Sequence, residues 1–179
     1  MLAVKAYDRD RANAYAQTWA LDRNPLFENY SGIGGDCTNF VSQCVYAGSC
    51  VMNYTPTFGW YYISPTNRTA SWTGVQFFYN FITQNEGVGP YAREVNPGGL
   101  TIGDVIQLGR ADDTCYHTLI VTGFSRTQYL VSAHSDDALN RPLSTYSYAR
   151  IRYLHIEAVR IEIPNSTGCF ENLIEGIAL

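Results

Sequence analysis

The chain has 179 residues, of which 46% are hydrophobic and 16% are charged, and its formal net charge at pH 7 is −4. This length and composition predict one folded domain with a hydrophobic core and exclude a disordered chain. Lysine and arginine residues are scattered and never form a run, which excludes a basic surface of the kind that binds nucleic acid. We therefore expect no nucleic-acid partner, while the oligomeric state stays open.

The sequence contains neither an apolar run of the length that spans a membrane nor a recognisable signal peptide. Two locations are consistent with this pattern: secreted or attached to the cell wall if an export segment was removed, and cytoplasmic otherwise. The cysteines number five, so at least one is unpaired if the others form disulfides. Their spacing assigns no particular pair.

The first half of the chain predicts three helices, because apolar residues recur there every three or four positions. Each begins at a residue that commonly caps a helix start, either aspartate or threonine. The predicted helices are Asp8–Arg23, Asp36–Ala47 with Gly48 as its stop, and Thr73–Gln84 with Thr73 and Gln76 as a capping box.

Between the second and third helices, a turn-rich segment from Tyr54 to Trp72 carries many aromatic residues. These could line a substrate cleft, although a flap that covers the core is the simpler interpretation. After Pro97 the pattern changes to the alternation that is typical of strands. The predicted strands are Asp104–Leu108, His117–Thr122, Gln128–Ala133 and Ile151–Ile163.

Helices followed by an antiparallel sheet predict an α+β domain. We expect this domain to occupy residues 1–163. The closing residues 164–179 differ in composition from the rest and are predicted to form a tail with a short helix, with no assigned role.

The candidate nucleophile is Cys37, at the point where the segment GGDCTNF joins a glycine-rich loop to the second helix. Free amides at a helix start carry positive potential, which favours a thiolate over a thiol. The glycines would let a substrate approach the sulfur closely, and the Cys37 amide could donate to an oxyanion. The alternative is an ordinary core cysteine.

His117 opens an apolar strand and is the predicted base for the cysteine proton. His134 ends the next strand, where antiparallel pairing would bring it close enough to orient the His117 imidazole. Asp136 and Asp137 are alternatives for that third role. His155 alternates with apolar residues and is predicted to be structural.

This order of a cysteine helix, a strand that begins with histidine and a strand with a third polar residue resembles the papain-like NlpC/P60 and CHAP hydrolases. The sequence is more similar still to the bacterial family called "putative amidase domain". The resemblance implies a papain-like fold of the NlpC/P60 type, with Cys37 as nucleophile, His117 as base and His134 as third member. Tyr116 is a departure, because many relatives have aspartate or glutamine before that histidine. The matching stretches are AYAQTWALDRNP, GGDCTNFVSQCVYAG, VMNYTPTFGWYYI, SWTGVQFFYNF, GDVIQL, YHTLIVTG, SAHSDDALNRPLSTY and IRYLHI.

The resemblance further implies hydrolysis of an amide bond through a thioester intermediate, with a peptide or peptidoglycan-like substrate from the bacterial cell wall. Cell-wall peptide bonds and muramoyl-alanine linkages both fit, and no cofactor is implied. One alternative is a non-catalytic module that binds cell-wall or peptide ligands. Another is a zinc site made from Cys37, His117 and His134, but a thiol–imidazole pair already explains these residues, so we expect no metal.

Overall fold

Most strands of the protein join one antiparallel sheet, and the helices pack against it. The computed structural model describes residues 1–162 and 168–177. The α+β class predicted from the sequence is confirmed. The helices are α1 Arg9–Trp19, α2 Cys37–Ser49, α3 Ala70–Thr73, α4 Val75–Gln84 and α5 Cys169–Glu175, and a short 3₁₀ turn covers Leu143–Thr145.

The larger sheet has the strand order β1-β9-β5-β6-β7-β8, with β4 also paired to β9, and β2 and β3 form a separate hairpin. Every pairing in the described residues is antiparallel. The strands are β1 Ala3–Lys5, β2 Tyr62–Ser64, β3 Asn67–Arg68, β4 Gly89–Glu94, β5 Val105–Gly109, β6 Cys115–Phe124, β7 Tyr129–Ala133, β8 Ala138–Pro142 and β9 Arg150–Ile161.

Strand alternation gives the sheet two buried faces, because successive side chains point to opposite sides. Val105 and Ile120 belong to the cluster that includes α1, α2 and α4. Their chain neighbours Ile106 and Leu119 belong to a second cluster on the other side, with residues of β7. Helix α2 therefore lies against one face of β5 and β6, and a smaller core covers the other face.

The predicted stop of the second helix at Gly48 is wrong, since α2 continues to Ser49 and Cys50 follows in the left-handed conformation, with φ 48°. A side chain at Gly48 would collide with the Tyr7 ring and with the Asp8 carbonyl oxygen. Glycine is thus needed here because the start of α1 crosses α2 closely. The residue marks a helix crossing rather than a helix end.

The predicted capping box at the third helix is also wrong. Thr73 ends α3, Gly74 stands at the N-cap of α4, and no side chain caps that helix. Gln76 instead donates a hydrogen bond to Asn80 one turn later, at 2.8 Å. The threonine that was expected to begin the third helix is instead the last residue of α3, a short helix that the sequence pattern did not predict.

The aromatic segment covers the core, in agreement with the simpler interpretation. Trp60 and Trp72 are fully buried, with ring centroids 4.8 Å apart. The Trp60 indole donates to the Ser42 hydroxyl at 3.1 Å, and the Trp72 indole donates to the Asn39 side chain at 3.0 Å. Both bonds fasten the segment to polar residues of α2.

Asp104, in the GDVIQL segment, is a buried structural carboxylate. It accepts hydrogen bonds from Arg9 at 2.6 Å and from the Thr101 amide at 2.9 Å, and the Nδ1 atom of His155 lies 2.7 Å away. These contacts join α1, β5 and β9. They agree with the prediction that His155 has a structural role.

The described part of the predicted tail packs on the domain. A disulfide joins Cys50 to Cys169. The Trp19 indole donates to the Ile174 carbonyl at 3.0 Å, and the Asn24 amide donates to the Leu173 carbonyl at 2.9 Å. The proposed boundary at residue 163 lies outside the described residues. No described helix is both long and apolar enough to cross a membrane.

We expect the substitution Cys169→Ser to lower the free energy of unfolding by about 2–5 kcal/mol, because the Cys50–Cys169 link spans 119 residues. Urea denaturation without reductant measures this change. Cys115→Ser is the matched control, since Cys115 is a half-buried free thiol. Dithiothreitol should destabilise the wild type but not Cys169→Ser, and equal responses would show that the disulfide does not form.

Candidate active site

Cys37 is the first residue of α2 and is 6% exposed. The loop that leads to it contains Gly32, Gly34 and Gly35 with φ values of 82°, 99° and 104°. Residues with a side chain rarely adopt such angles. The glycines therefore give the chain the sharp path that ends at the start of this helix.

The Cys37 thiol is surrounded by hydrogen-bond donors but is largely removed from water. Burial raises the pKa of Cys37 above its ordinary value, and hydrogen bonds from the Thr118 amide and from Thr38 offset this only in part. The expectation that the helix start would favour a thiolate is thus not met in the free protein. Desolvation of the charged form outweighs the local amides, so a neutral thiol is the resting form.

His117 is a buried imidazole on β6. It pairs with Leu108 across the β5–β6 ladder and is 8% exposed. Burial lowers its pKa from 6.5 to about 4, with the charge of Asp136 raising it and that of Arg141 lowering it to smaller extents. At neutral pH the ring is uncharged and is able to accept a proton.

The cysteine and the histidine meet through the residues that follow them. The hydroxyl oxygens of Thr38 and Thr118 are 2.9 Å apart although 80 positions separate them in sequence. The Thr118 amide also donates to the Cys37 sulfur. This contact brings the start of α2 to the start of β6. Within residues 1–162 and 168–177, no direct hydrogen bond joins the thiol to the imidazole.

His134 lies elsewhere in the hydrogen-bond network. Its Nδ1 atom is 2.6 Å from Asp36 Oδ2 and its Nε2 atom is 2.8 Å from the Trp19 carbonyl oxygen. Both ring nitrogens are therefore engaged by groups other than His117. We expected the pairing of adjacent strands to bring His117 and His134 together. The two rings are not in contact, because the His134 ring instead bonds Asp36.

The two neighbouring aspartates differ in their surroundings. Asp137 is held by the Arg23 guanidinium through contacts of 2.8 and 2.9 Å. Asp136 is exposed, and its charge raises the pKa of His117. Asp136 is therefore the alternative whose carboxylate acts on the candidate base.

Tyr146 was not recognised in the sequence. Its ring centroid is 5.9 Å from that of His117. Its hydroxyl is buried without a hydrogen-bond partner among the described residues. The Arg141 guanidinium lies over the same ring at 4.1 Å. Tyr146 ends the matching stretch SAHSDDALNRPLSTY, but its proximity to His117 depends on how the chain packs after the 3₁₀ turn.

The arrangement does not favour the zinc alternative. In the described part of the chain, no three histidine, cysteine, aspartate or glutamate side chains form a group suited to a metal ion. His134 also directs its nitrogens at Asp36 and Trp19. What the site presents is a buried thiol, a neutral imidazole and several amide donors.

Comparison with known proteins gives one family match. The profile of the family described as "Putative amidase domain" matches residues 6–156. This range contains α1 to α4 and almost all of the larger sheet, together with Cys37 and His117. No solved structure matches the chain.

Two curated relatives come from Bacillus subtilis (strain 168), and both are named as uncharacterized. YhbB is 28% identical over 174 residues, which are 94% of this chain and 51% of that protein. YjcM is 32% identical over 148 residues, which are 78% of this chain and 34% of that protein. The chain thus spans about half of one relative and a third of the other.

The buried imidazole makes a pH prediction for stability. The unfolded chain binds a proton at His117 below pH 6.5, whereas the folded chain binds it only below about pH 4. Stability from the buried neutral ring is therefore complete above pH 6.5 and is lost as the pH falls towards 4. Between pH 7.5 and 4.5 this loss should be about 2–3 kcal/mol.

Urea unfolding of wild type and His117→Asn at both pH values measures that contribution. Every other titrating group is common to the two proteins, so the variant should lose about 2 kcal/mol less than the wild type on acidification. An identical pH dependence would show that the His117 ring is not desolvated in the fold.

The raised thiol pKa makes a second prediction. Alkylation of Cys37 by iodoacetamide should rise only at pH values above the ordinary thiol range of about 8.5. His117→Asn should leave this profile unchanged, because the resting pair is uncharged. Peptide mass spectrometry identifies the alkylated residue. Fast alkylation below pH 7 that disappears in His117→Asn would instead reveal a preformed ion pair.

Proposed function

The chain belongs to the family described as "Putative amidase domain", and we propose that it is a cysteine-dependent amide hydrolase. The observation that supports this most strongly is the contact between the start of α2 and the start of β6. It places a buried thiol beside the strand of a neutral imidazole.

The proposed reaction begins with the neutral pair. The Cys37 sulfur attacks the substrate carbonyl carbon while the His117 imidazole takes the thiol proton. The carbonyl oxygen becomes an oxyanion, to which the Cys37 amide donates. The carbon–nitrogen bond then breaks, and the imidazolium gives its proton to the leaving amine. A thioester on Cys37 remains.

Water completes the cycle. His117 removes a proton from the water molecule as its oxygen attacks the thioester carbon. The carbon–sulfur bond breaks and the carboxylic product leaves. The imidazolium returns the proton to the sulfur, so the thiol is regenerated. Neither step consumes an oxidant or a metal.

Asp136 is the group that we propose as the electrostatic partner of His117. Both half-reactions pass through a buried imidazolium, which is costly without a compensating charge. The Asp136 carboxylate favours that charged form. Asp136 thus takes the role of third member that was expected of His134, because both ring nitrogens of His134 already contact other groups.

A papain-like fold of the NlpC/P60 type is part of the same proposal. A nucleophile at a helix start, packed on an antiparallel sheet that carries the base, supports it. We propose a peptide or peptidoglycan-like substrate from the bacterial cell wall, as the resemblance to these hydrolases implies. The Cys50–Cys169 disulfide supports an oxidising compartment, which fits the secreted or wall-associated location.

We expect Cys37→Ala to lower turnover of muropeptides by at least about a thousandfold, because it removes the nucleophile. Products from purified bacterial peptidoglycan are identified by mass spectrometry, and acid quenching traps a substrate adduct on Cys37 of the wild type. Cys115→Ala is the matched control and should retain activity. Thermal melts should stay close to that of the wild type.

Retained turnover in Cys37→Ala would overturn the cysteine mechanism. Tight binding of muropeptides by the wild type, without any product or adduct, would instead favour the non-catalytic binding module. Product formation by Cys37→Ser at a low rate would be compatible with the proposal, since a hydroxyl is a weaker nucleophile in the same position.

A further inference from the structure

Asp36, the residue before Cys37, forms a buried pair with His134, and each side chain is 1% exposed. The mechanism above uses neither residue. Their contacts nevertheless determine how many protons the pair holds.

The proton count follows from the partners of the ring. The Trp19 carbonyl oxygen can only accept, so Nε2 of His134, 2.8 Å away, must carry a hydrogen. The contact of 2.6 Å between Nδ1 and Asp36 Oδ2 needs a second proton between the two atoms. The pair thus holds one proton more than a neutral histidine beside an ionised aspartate.

The donors around Asp36 indicate where that extra proton resides. Oδ1 accepts from the Tyr30 amide at 3.0 Å and from the Asn39 side chain at 2.8 Å. The Nε atom of Arg23 lies 3.4 Å from Oδ2. Donors and a positive charge favour the ionised carboxylate, so the proton belongs to the ring of His134.

The remaining neighbours suit an imidazolium. The His134 ring stacks on Phe40 of α2 with centroids 4.0 Å apart and planes inclined by 19°, and an aromatic face attracts a cation. Arg23 also holds Asp137, which lies near the same ring. The row of side chains therefore alternates between negative and positive charge, and its net charge is zero. Its members, in order, are Asp137, Arg23, Asp36 and His134.

We infer that His134 is a positioning residue, an imidazolium that fixes Asp36 and through it the loop and helix start that carry Cys37. Asp36 closes the glycine loop by accepting from Tyr30, and its own amide donates to the Ser135 hydroxyl at 2.7 Å. Without these bonds, three glycines at positive φ would leave the loop free to change path. The effect on turnover rests on the proposed function, whereas the proton count does not.

Nitrogen-15 NMR of histidine-labelled protein at pH 7.5 tests the proton count directly. We expect both ring nitrogens of His134 to show the chemical shifts of an imidazolium, with the signal assigned by its loss in His134→Gln. His117 provides an internal neutral reference. A non-protonated nitrogen in the His134 ring would overturn the inference, whether or not the protein is an enzyme.

Alkylation and kinetics test the positioning role. The buried Cys37 should react with iodoacetamide several-fold faster in His134→Gln and in Asp36→Asn, because the loop opens more often. Muropeptide turnover should fall about a hundredfold in kcat, with KM changed much less. His155→Gln is the matched control, since His155 makes a similar contact to Asp104, the residue before β5.

These readouts separate the two proposals. Unchanged Cys37 alkylation in both variants, with a normal thermal melt, would overturn the positioning role. If the variants fail to fold, the wild-type NMR result still decides the proton count. Absence of turnover in the wild type, with an imidazolium at His134 and altered alkylation in the variants, would contradict only the proposed hydrolase.

Discussion

Every residue of α2 from Cys37 to Ser49 is buried, and this constraint determines most of the structure around the candidate site. A helix that is enclosed on all sides needs apolar contacts around its whole circumference and partners for its polar side chains. The larger sheet, α1 and the aromatic segment supply the contacts. Gln43 accepts a hydrogen bond from Tyr15, while Asn39 and Ser42 accept from the two buried tryptophans.

The same enclosure decides the electrostatics of the site. A thiol and an imidazole that are removed from water both favour their neutral forms, which is the combination found at Cys37 and His117. Charge is instead concentrated in ion pairs, where the Asp36 carboxylate lies beside Arg23 and the Asp104 carboxylate lies beside Arg9. The first pair lies beside Cys37, and the second joins the sheet to α1.

The C-terminal helix belongs to this enclosure as well. It lies beyond the range of the family match, yet Asn24 links it by hydrogen bonds to Tyr15, and Tyr15 in turn bonds Gln43 of α2. Together with the disulfide at Cys50, these bonds cover the end of α2 and the turn after α1. The packing of α2 is therefore completed by residues that lie at the other end of the sequence.

The sequence by itself determined the α+β class, three of the helices, four of the strands and the residues Cys37 and His117 as candidates. Those features depend on local periodicity, capping and a glycine-rich approach to a cysteine, which a linear pattern records. Only the tertiary structure decided the partner of His134, the neutral state of the thiol, the proximity of Tyr146 and the Cys50–Cys169 pair. Each of these depends on contacts between segments that are distant in sequence and on the exclusion of water by those contacts. The spacing of residues along the chain predicts neither.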